Sequence, residues 1–127
     1  LALDLGAASA GPADAAPPEP LDAAVLFAPA GELVPVAMRA LDQGGTLAVA
    51  GIYLSDIPQI SYADELFREK QLRSVTANTR ADGEEFLRLA AALAVRPTID
   101  LRPLGEADVA LADLAADKIT GAAVLMA

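Results

Sequence analysis

The side chains in this chain that could move protons are carboxylates, and they stand in loops and at the predicted starts of helices. The candidates are Asp56, Asp64, Glu65, Asp82, Glu84 and Glu85. Pairs of carboxylates act as general acid and base when their surroundings push their pKa values apart. At the start of a helix, however, a carboxylate satisfies free backbone N–H groups and opposes the helix dipole. We therefore interpret these residues as capping and solvating groups and predict no catalytic residue in the chain.

Other reactive groups are missing from the sequence. It contains no cysteine and no histidine, so it lacks the usual ligands of zinc. It also lacks the glycine fingerprint G-x-G-x-x-G, a P-loop and a G-x-S-x-G elbow. We predict no metal site and no bound cofactor for this chain alone.

One apolar stretch indicates where a ligand would lie. Residues 44–53 read G-G-T-L-A-V-A-G-I-Y, an apolar run between glycines that is typical of a strand buried on both faces of a parallel sheet. Ligands of such sheets bind at the carboxyl ends of the strands. Gly51 would allow a ligand or another chain segment to approach the backbone closely. Functional residues are therefore expected within residues 50–58.

The elements around this strand predict an α/β fold. A second apolar strand is predicted over residues 22–28, and a helix between the two strands carries Val34, Ala37, Met38 and Leu41 on one face. Gly44 is predicted to end that helix. A strand, a helix and a strand in succession favour a right-handed crossover with two parallel strands.

The rest of the chain continues the alternation of strands and helices. The predicted elements start with a helix over residues 62–69 with Leu66 and Phe67 inward and an outer strand over residues 72–78. A capping box at Thr79 and Asp82 then begins a helix that carries Phe86, Leu89, Ala90 and Leu93 on one face. The last elements are a half-exposed strand over residues 98–102 with Ile99 and Leu101 on one side, a helix over residues 106–117 that buries Ala107, Ala110, Leu111 and Leu114, and a strand over residues 122–126. A very short strand is also conceivable over residues 7–10.

The composition indicates which kinds of binding partner the chain does not favour. The 127 residues are 54% hydrophobic, which suffices for a core, and carry a formal net charge of -9. Such a charge argues against nucleic acid or an anionic membrane as partner. No apolar run approaches the roughly 20 residues that span a bilayer, and we expect a cytoplasmic protein.

Six stretches of the chain form a recognisable series. They are residues 22–27, Gly44-Gly45-Thr46-Leu47-Ala48-Val49-Ala50-Gly51-Ile52, Ser55-Asp56-Ile57-Pro58, Leu72-Arg73-Ser74-Val75, Thr79-Arg80-Ala81-Asp82-Gly83-Glu84-Glu85-Phe86 and Ile119-Thr120-Gly121-Ala122-Ala123-Val124-Leu125. In this order and spacing they resemble the C-terminal part of a medium-chain, zinc-dependent alcohol dehydrogenase, from the branch that prefers simple primary alcohols.

The resemblance implies a fold and a set of cofactor contacts. Residues 1–80 would form the second half of a Rossmann-like dinucleotide-binding sheet, and residues 81–127 would return to the catalytic domain. The implied cofactor-binding residues are Phe27 and Ala28 near the adenosine half, Ala50, Gly51 and Ile52 beside the nicotinamide, and Val75 and Ala77 with backbone groups toward the carboxamide. The family's arginine for the cofactor phosphates is replaced here by Ala122.

The resemblance also implies what the parent enzyme does. It would transfer hydride between a small primary alcohol, or its aldehyde, and NAD(P), with zinc polarising the alcohol oxygen. The sequence starts at Leu1 as if inside a helix, so we expect a fragment whose glycine fingerprint and zinc ligands lie upstream. The fragment alone is expected to be inactive.

Two alternatives stay open from the sequence. The parent could be a zinc-independent relative such as a quinone reductase, or the chain could be a non-catalytic, self-associating α/β module. In the family the outer strand joins two subunits, and residues 72–78 carry little blocking charge. A homo-oligomer through this strand is therefore expected.

Overall fold

A computed structural model describes residues 2–127, and the chain divides into two compact units, Leu1–Ala77 and Asn78–Ala127. The elements in chain order are β1 (Leu21–Leu26), α1 (Leu33–Ala40), β2 (Leu41–Val49), a π-helical turn (Tyr62–Leu66), β3 (Gln71–Ser74), α2 (Arg80–Ala92), β4 (Ile99–Pro103), a 3-10 turn (Leu104–Glu106), α3 (Ala107–Ala115) and β5 (Ala122–Met126). Strands and helices alternate and the strands run parallel, so the predicted α/β class is confirmed. No helix within residues 2–127 is long and apolar enough to cross a membrane.

The first unit is a three-stranded parallel sheet in the order β1-β2-β3. The apolar run of β2 occupies the centre, as the sequence predicted. In this register Leu26 pairs with Val49, and Val49 pairs with Ser74. The three strands therefore end together at one edge of the sheet.

Helix α1 covers one face of this sheet. Val34 and Met38 on the helix and Leu47 on β2 are fully buried in the core. The predicted apolar face of the helix is thereby confirmed. The central strand is buried on the face toward α1 and half-buried on the other, where Thr46 and Ala48 lie, so the predicted burial on both faces is incomplete. The neighbouring strand β1 is open on that second face, where Val25 is 58% exposed.

The junction between α1 and β2 differs from the sequence prediction. The helix ends at Ala40 and the strand follows at once, so Gly44 does not cap the helix. Gly44 instead takes a positive φ of 73°, and its N–H donates to the carbonyl of Arg68 at 2.9 Å. The glycine thus allows an irregular stretch inside β2, where the pairing with β1 shifts register between Leu21 and Ala23.

Two further predictions in the first unit need correction. The helix expected over residues 62–69 is a π-helical turn of five residues, and Phe67 is 64% exposed instead of facing inward. The outer strand expected over residues 72–78 is β3, which ends at Ser74. It lies at the edge of the sheet, as predicted. The short strand expected over residues 7–10 does not form.

The start of the chain forms hydrogen-bonded turns. The expected end of a helix covers residues 1–6, of which Leu1 lies outside the described residues. Residues 2–6 form turns in which Gly6 donates to the carbonyl of Leu3 at 3.0 Å.

The second unit contains α2, β4, α3 and β5, with β4 and β5 paired in parallel. The predicted capping box opens α2. The Asp82 N–H donates to the Thr79 hydroxyl at 3.2 Å, and the Thr79 N–H donates to the Asp82 carboxylate at 2.7 Å. The Thr79 hydroxyl also donates to the Asp82 carboxylate at 2.7 Å. The two hydrogen bonds that the carboxylate accepts, from the Thr79 hydroxyl and from the Thr79 N–H, lower the pKa of Asp82, because they stabilise the ionised form.

Most of the apolar faces predicted for the second unit are exposed. Of the residues described there, Ala110 alone is buried. Leu111 and Leu114 were predicted to be buried, but each is at least 60% exposed. At least half of the residue area is also exposed for the residues on the predicted apolar faces of α2 and β4, which are Phe86, Leu89, Leu93, Ile99 and Leu101. Two strands and two helices offer too little opposing surface to cover these faces.

Candidate functional site

The seven predicted cofactor-binding residues all follow the ends of strands in the first unit. They are Phe27 and Ala28 after β1, Ala50, Gly51 and Ile52 after β2, and Val75 and Ala77 after β3. Because the three strands are parallel and in register, these segments emerge at the same edge of the sheet. This is the edge at which open parallel sheets bind ligands.

Backbone hydrogen bonds hold the first two segments together. The N–H groups of Ala50 and Gly51 both donate to the carbonyl of Leu26, at 2.9 and 3.0 Å. A Cβ at Gly51 would lie 2.9 Å from the carbonyl oxygens of Phe27 and Ala28. Glycine is therefore required at this position because two chain segments approach each other there.

The third segment joins the same edge through Val75. Its N–H donates to the carbonyl of Val49 at 2.9 Å, which extends the ladder one residue beyond β3. This N–H is thus engaged within the sheet, so the backbone group that Val75 can offer to a ligand is its carbonyl. Ala77 lies two residues further along and is exposed.

The edge formed by these residues is apolar and open. Phe27 is 75% exposed, Ile52 is 76% exposed and Val75 is 51% exposed. None of the seven residues carries an ionisable side chain. The arrangement can pack against an apolar ring and present backbone groups, and it supplies no proton donor or acceptor of its own.

A clamp that no sequence pattern predicted joins the loops that follow β1 and β2. The Gly31 N–H donates to the Ser55 hydroxyl at 2.8 Å, and the Ser55 N–H donates to the carbonyl of Pro29 at 3.4 Å. A Cβ at Gly31 would lie 2.4 Å from the carbonyl oxygens of Ser55 and Asp56. The one available signal was Gly31 itself, a glycine two residues after Pro29.

The acidic candidates do not assemble an acid–base pair at this edge. Glu65 is buried, accepts from the N–H of Ser61 at 2.5 Å and pairs with Arg39. Asp64 accepts from the Ser61 hydroxyl at 2.8 Å. Both thus stabilise the π-helical turn, as the capping interpretation predicted.

The other acidic candidates lie in exposed positions. Asp56 is exposed in the loop after β2, and Glu85 is exposed on α2. Asp82 belongs to the capping box, and Glu84 lies 4.0 Å from Arg88 on the same helix. Within residues 2–127, no group of three or more histidine, cysteine, aspartate or glutamate side chains is placed to hold a metal ion.

A cleft in the first unit lies away from this edge, near the starts of the strands. It has a volume of about 540 Å³, and its lining includes Arg39, Lys70 and Asp64. Arg39 is paired with Glu65, and the buried Lys70 ammonium donates to the carbonyl of Met38 at 2.7 Å. Two of the cations that line the cleft thus have structural partners, whereas all seven predicted cofactor-binding residues lie at the other end of the sheet. We therefore place the candidate site at the carboxyl edge.

The sequence matches a curated relative over almost all of its own length. The chain is 58% identical over 126 residues to the Mycobacterium tuberculosis protein named "Probable alcohol dehydrogenase AdhA". The match covers 99% of this chain and 36% of that relative, so the chain spans about a third of the protein that it matches. No protein-family model matches the sequence.

The fold matches solved structures, one of which is named as an alcohol dehydrogenase. The crystal structure of an NAD-dependent alcohol dehydrogenase superposes with a TM-score of 0.63 at 20% identity, covering 86% of this chain and 32% of that chain. The Bacillus subtilis protein yhfP with NAD bound superposes with a TM-score of 0.66 at 16% identity, covering 98% and 39%. These two likenesses concern the fold alone.

Fold and sequence thus agree on the class. The chain shares a partial α/β fold with these two solved structures. More narrowly, its sequence is similar over nearly its whole length to about a third of an alcohol dehydrogenase, so the predicted resemblance to alcohol dehydrogenases is confirmed.

Proposed function

We propose that this chain forms one side of the dinucleotide site in an NAD(P)-dependent alcohol dehydrogenase, whose remaining parts supply the phosphate-binding turn and the reactive groups. The observation that carries the proposal is the meeting of three parallel strand ends at one apolar edge. Gly51 lies at its centre, within hydrogen-bonding distance of the carbonyl of Leu26. The similarity to an alcohol dehydrogenase supplies the reaction.

Within this site the residues have binding roles. Phe27 and Ala28 would lie near the adenosine half of the dinucleotide, and Ala50, Gly51 and Ile52 would lie beside the nicotinamide. The bound dinucleotide supplies the hydride acceptor for alcohol oxidation. The exposed side chains of Phe27 and Ile52 would bury themselves against the cofactor and exclude water from it.

The backbone at the end of β3 would orient the carboxamide. Because the Val75 N–H is bonded to Val49, its carbonyl would accept from the carboxamide amino group. Ala77 would act in the same way. The seven residues hold no ionisable group, so the proton of the alcohol must leave through groups outside this set.

We propose zinc for the parent enzyme, held outside this chain. A bound zinc ion acts there as a Lewis acid toward the alcohol oxygen. The residues present do not fit the metal, since the sequence has no cysteine or histidine and residues 2–127 show no carboxylate cluster. No step of the reaction is therefore assigned to a metal ligand of this chain.

We propose that residues 1–80 belong to the dinucleotide-binding domain and that residues 81–127 pack on the catalytic domain of the parent. The exposed apolar faces of α2, β4 and α3 support the second assignment, because they need a covering surface. The division of the chain near Ala77 is compatible with this boundary.

We also propose that the parent is a homo-oligomer joined through residues 72–78. The support is the position of β3 at the edge of its sheet, where backbone groups can pair with a second chain. Sedimentation of the full dehydrogenase should show a dimer or a larger assembly. A strict monomer at high concentration would contradict this interface. The cytoplasmic location stays a prediction.

Calorimetry with NADH tests the proposed site. We expect this chain alone to bind NADH no more tightly than the millimolar range and to oxidise no alcohol. A few backbone hydrogen bonds contribute about 1 kcal/mol each, which does not offset the several kcal/mol lost on association. The net charge of -9 also opposes a bound pyrophosphate.

The matched experiment places the chain in a full-length enzyme. Residues 2–127 replace the aligned stretch of the Mycobacterium tuberculosis relative, which is 58% identical over 126 residues. We expect this exchange enzyme to bind NADH in the micromolar range and to oxidise ethanol. The unaltered relative is measured in parallel as the reference for both assays. Micromolar binding by the chain alone, or a folded exchange enzyme without binding, would overturn the proposal.

A further inference from the structure

Tyr53 has an unusual backbone for a bulky residue. Four residues other than glycine within residues 2–127 have a positive φ: Tyr53, Glu69, Ala94 and Asp117. The last three follow helical turns, where a single left-handed residue is a common way to end a helix. Tyr53, with a φ of 61°, follows the central strand instead. A bulky side chain in this conformation is a genuine outlier, and such outliers cluster at functional sites.

The turn that carries Tyr53 is fixed at both ends. On one side Gly51 donates to the carbonyl of Leu26 at 3.0 Å. On the other side Ser55 accepts from the Gly31 N–H at 2.8 Å, with no room for a side chain at Gly31. The backbone of Tyr53 is therefore held in place by the same contacts that assemble the carboxyl edge.

The Tyr53 side chain has no packing role in this structure. It is 95% exposed, and its neighbour Ile52 is 76% exposed. The second tyrosine differs, since the Tyr62 ring forms an edge-to-face pair with Phe67 at a centroid distance of 5.7 Å. A strained, anchored turn that presents an aromatic ring to solvent indicates a contact with something that binds at this edge.

We propose that Tyr53 is a specificity-determining residue, whose ring forms the wall against which the alkyl chain of the alcohol packs. This inference rests on the proposed function. Ile52 is proposed to lie beside the nicotinamide, and reacting atoms must come within about 3–3.5 Å of each other. The alcohol carbon therefore lies beside the nicotinamide, within reach of the residue that follows Ile52. A ring fixed there limits the length of the alkyl chain.

The test uses the exchange enzyme described above and the ratio of kcat/KM for 1-hexanol to kcat/KM for ethanol. Tyr53→Ala should raise this ratio about tenfold or more, since a few methylene groups in an apolar pocket discriminate by such factors. Tyr53→Phe keeps the ring and should leave the ratio within about twofold. Tyr62→Ala is the matched control and should leave the ratio unchanged.

A third variant separates the ring from the backbone. Tyr53→Gly removes the ring and adopts the positive φ without strain, so it folds at least as readily. It should match Tyr53→Ala in the ratio, while the KM for NAD stays as in the unaltered enzyme. A change of the hexanol-to-ethanol ratio in Tyr53→Gly but not in Tyr53→Ala would assign the effect to the backbone and overturn the role of the ring.

The two proposals fail in different ways. An exchange enzyme that oxidises alcohols but shows the same hexanol-to-ethanol ratio in every Tyr53 variant overturns the specificity role and leaves the dinucleotide site intact. A folded exchange enzyme that neither binds NADH nor oxidises ethanol overturns the dinucleotide site and, with it, the role of Tyr53.

Discussion

The two units of this chain are built from the same kinds of element but are stabilised differently. In the first unit a helix covers a three-stranded sheet, and the buried core contains Leu26, Val34, Met38, Leu41, Leu47 and Val49. In the second unit Ala110 is the one buried residue among those described, and polar contacts join the elements. An amphipathic pattern thus produces a helix or a strand in both units, whereas a core also requires a facing surface.

The polar contacts of the second unit centre on Arg102. Its guanidinium donates to the carboxylate of Asp100 at 2.8 Å and to that of Asp113 at 2.9 Å. Asp113 also lies 3.5 Å from the ammonium of Lys118. These contacts tie β4 to α3, and they raise the pKa of Arg102, mainly through its hydrogen bond to Asp113.

The largest expected effect compares the same substitution in each unit. Leu47→Ala removes a fully buried side chain from the first unit and should lower its free energy of unfolding by about 2–5 kcal/mol. Leu111→Ala removes a side chain that is 66% exposed and should cost about 0.5 kcal/mol or less. Urea unfolding, monitored by amide hydrogen exchange within each unit, measures the loss of stability caused by each substitution. Equal losses would contradict the difference between the units.

A second prediction concerns the close approach that holds the small sheet together. Gly121 has a φ of 89°, and a Cβ there would lie 2.2 Å from the carbonyl oxygen of Thr98. Gly121→Ala should therefore cost more than about 1 kcal/mol and abolish exchange protection at the Ala122 N–H, which donates to Thr98. Gly105→Ala is the control, because nothing lies within 4 Å of its Cβ position. Unchanged protection in the Gly121 variant would sink the prediction.

The next effect is local to α2. Thr79→Ala removes the capping hydroxyl and should destabilise the helix by about 1 kcal/mol. Gly83→Ala in the same helix has open space at its Cβ position and should stabilise it by about 0.5–1 kcal/mol. Helix content by circular dichroism should move in opposite directions. A change of helix content in the same direction in both variants would show that α2 is not stabilised mainly by its own cap and helix propensity.

The smallest effect is expected on acidification of the second unit. The hydrogen bond from Arg102 lowers the pKa of Asp113. Asp113 therefore makes its full contribution to the free energy of unfolding above about pH 3.9, the pKa of an aspartate in the unfolded chain. This contribution is lost as the pH falls through the lower pKa of Asp113 in the folded state. Exchange protection in β4 should fall in this acid range. Solvent screening keeps the effect small, because Asp113 and Arg102 are partly exposed.

The variant Asp113→Asn checks the assignment of this acid effect. It removes the titrating group, so protection in β4 should be weaker at neutral pH and should change less on acidification. Asp108→Asn, in the first turn of the same helix, serves as the control and should keep the acid response. An unaltered acid response in the Asp113 variant would assign the transition to other carboxylates.

The sequence predicted the elements better than their burial. The capping box at Thr79 and the central position of β2 follow from local patterns, and both are confirmed. The exposure of Leu111 and Leu114 could not be predicted, because helical periodicity marks an apolar face without showing what covers it. The early end of α1 at Ala40 shows the same limit, since the glycine pair read as a helix end lies inside β2.

The candidate site was predictable to a similar extent. A glycine at the end of a buried strand indicated the carboxyl edge, and the structure brings the segments after the strands together there. The clamp between Gly31 and Ser55 was not predictable, because it joins residues 24 positions apart. The positive φ of Tyr53 has no local signal, since tyrosine is not a residue that favours that conformation.

The surface position of every aromatic ring has a consequence for optical measurements. The chain has two tyrosines, three phenylalanines and no tryptophan, and each of the five rings is at least 64% exposed. Near-UV circular dichroism depends on aromatic rings held in fixed, asymmetric surroundings, and its loss is used to diagnose a molten globule. This chain should therefore give a faint near-UV spectrum even when its first unit is fully folded. Its integrity must instead be judged from the far-UV spectrum or from slowly exchanging amides.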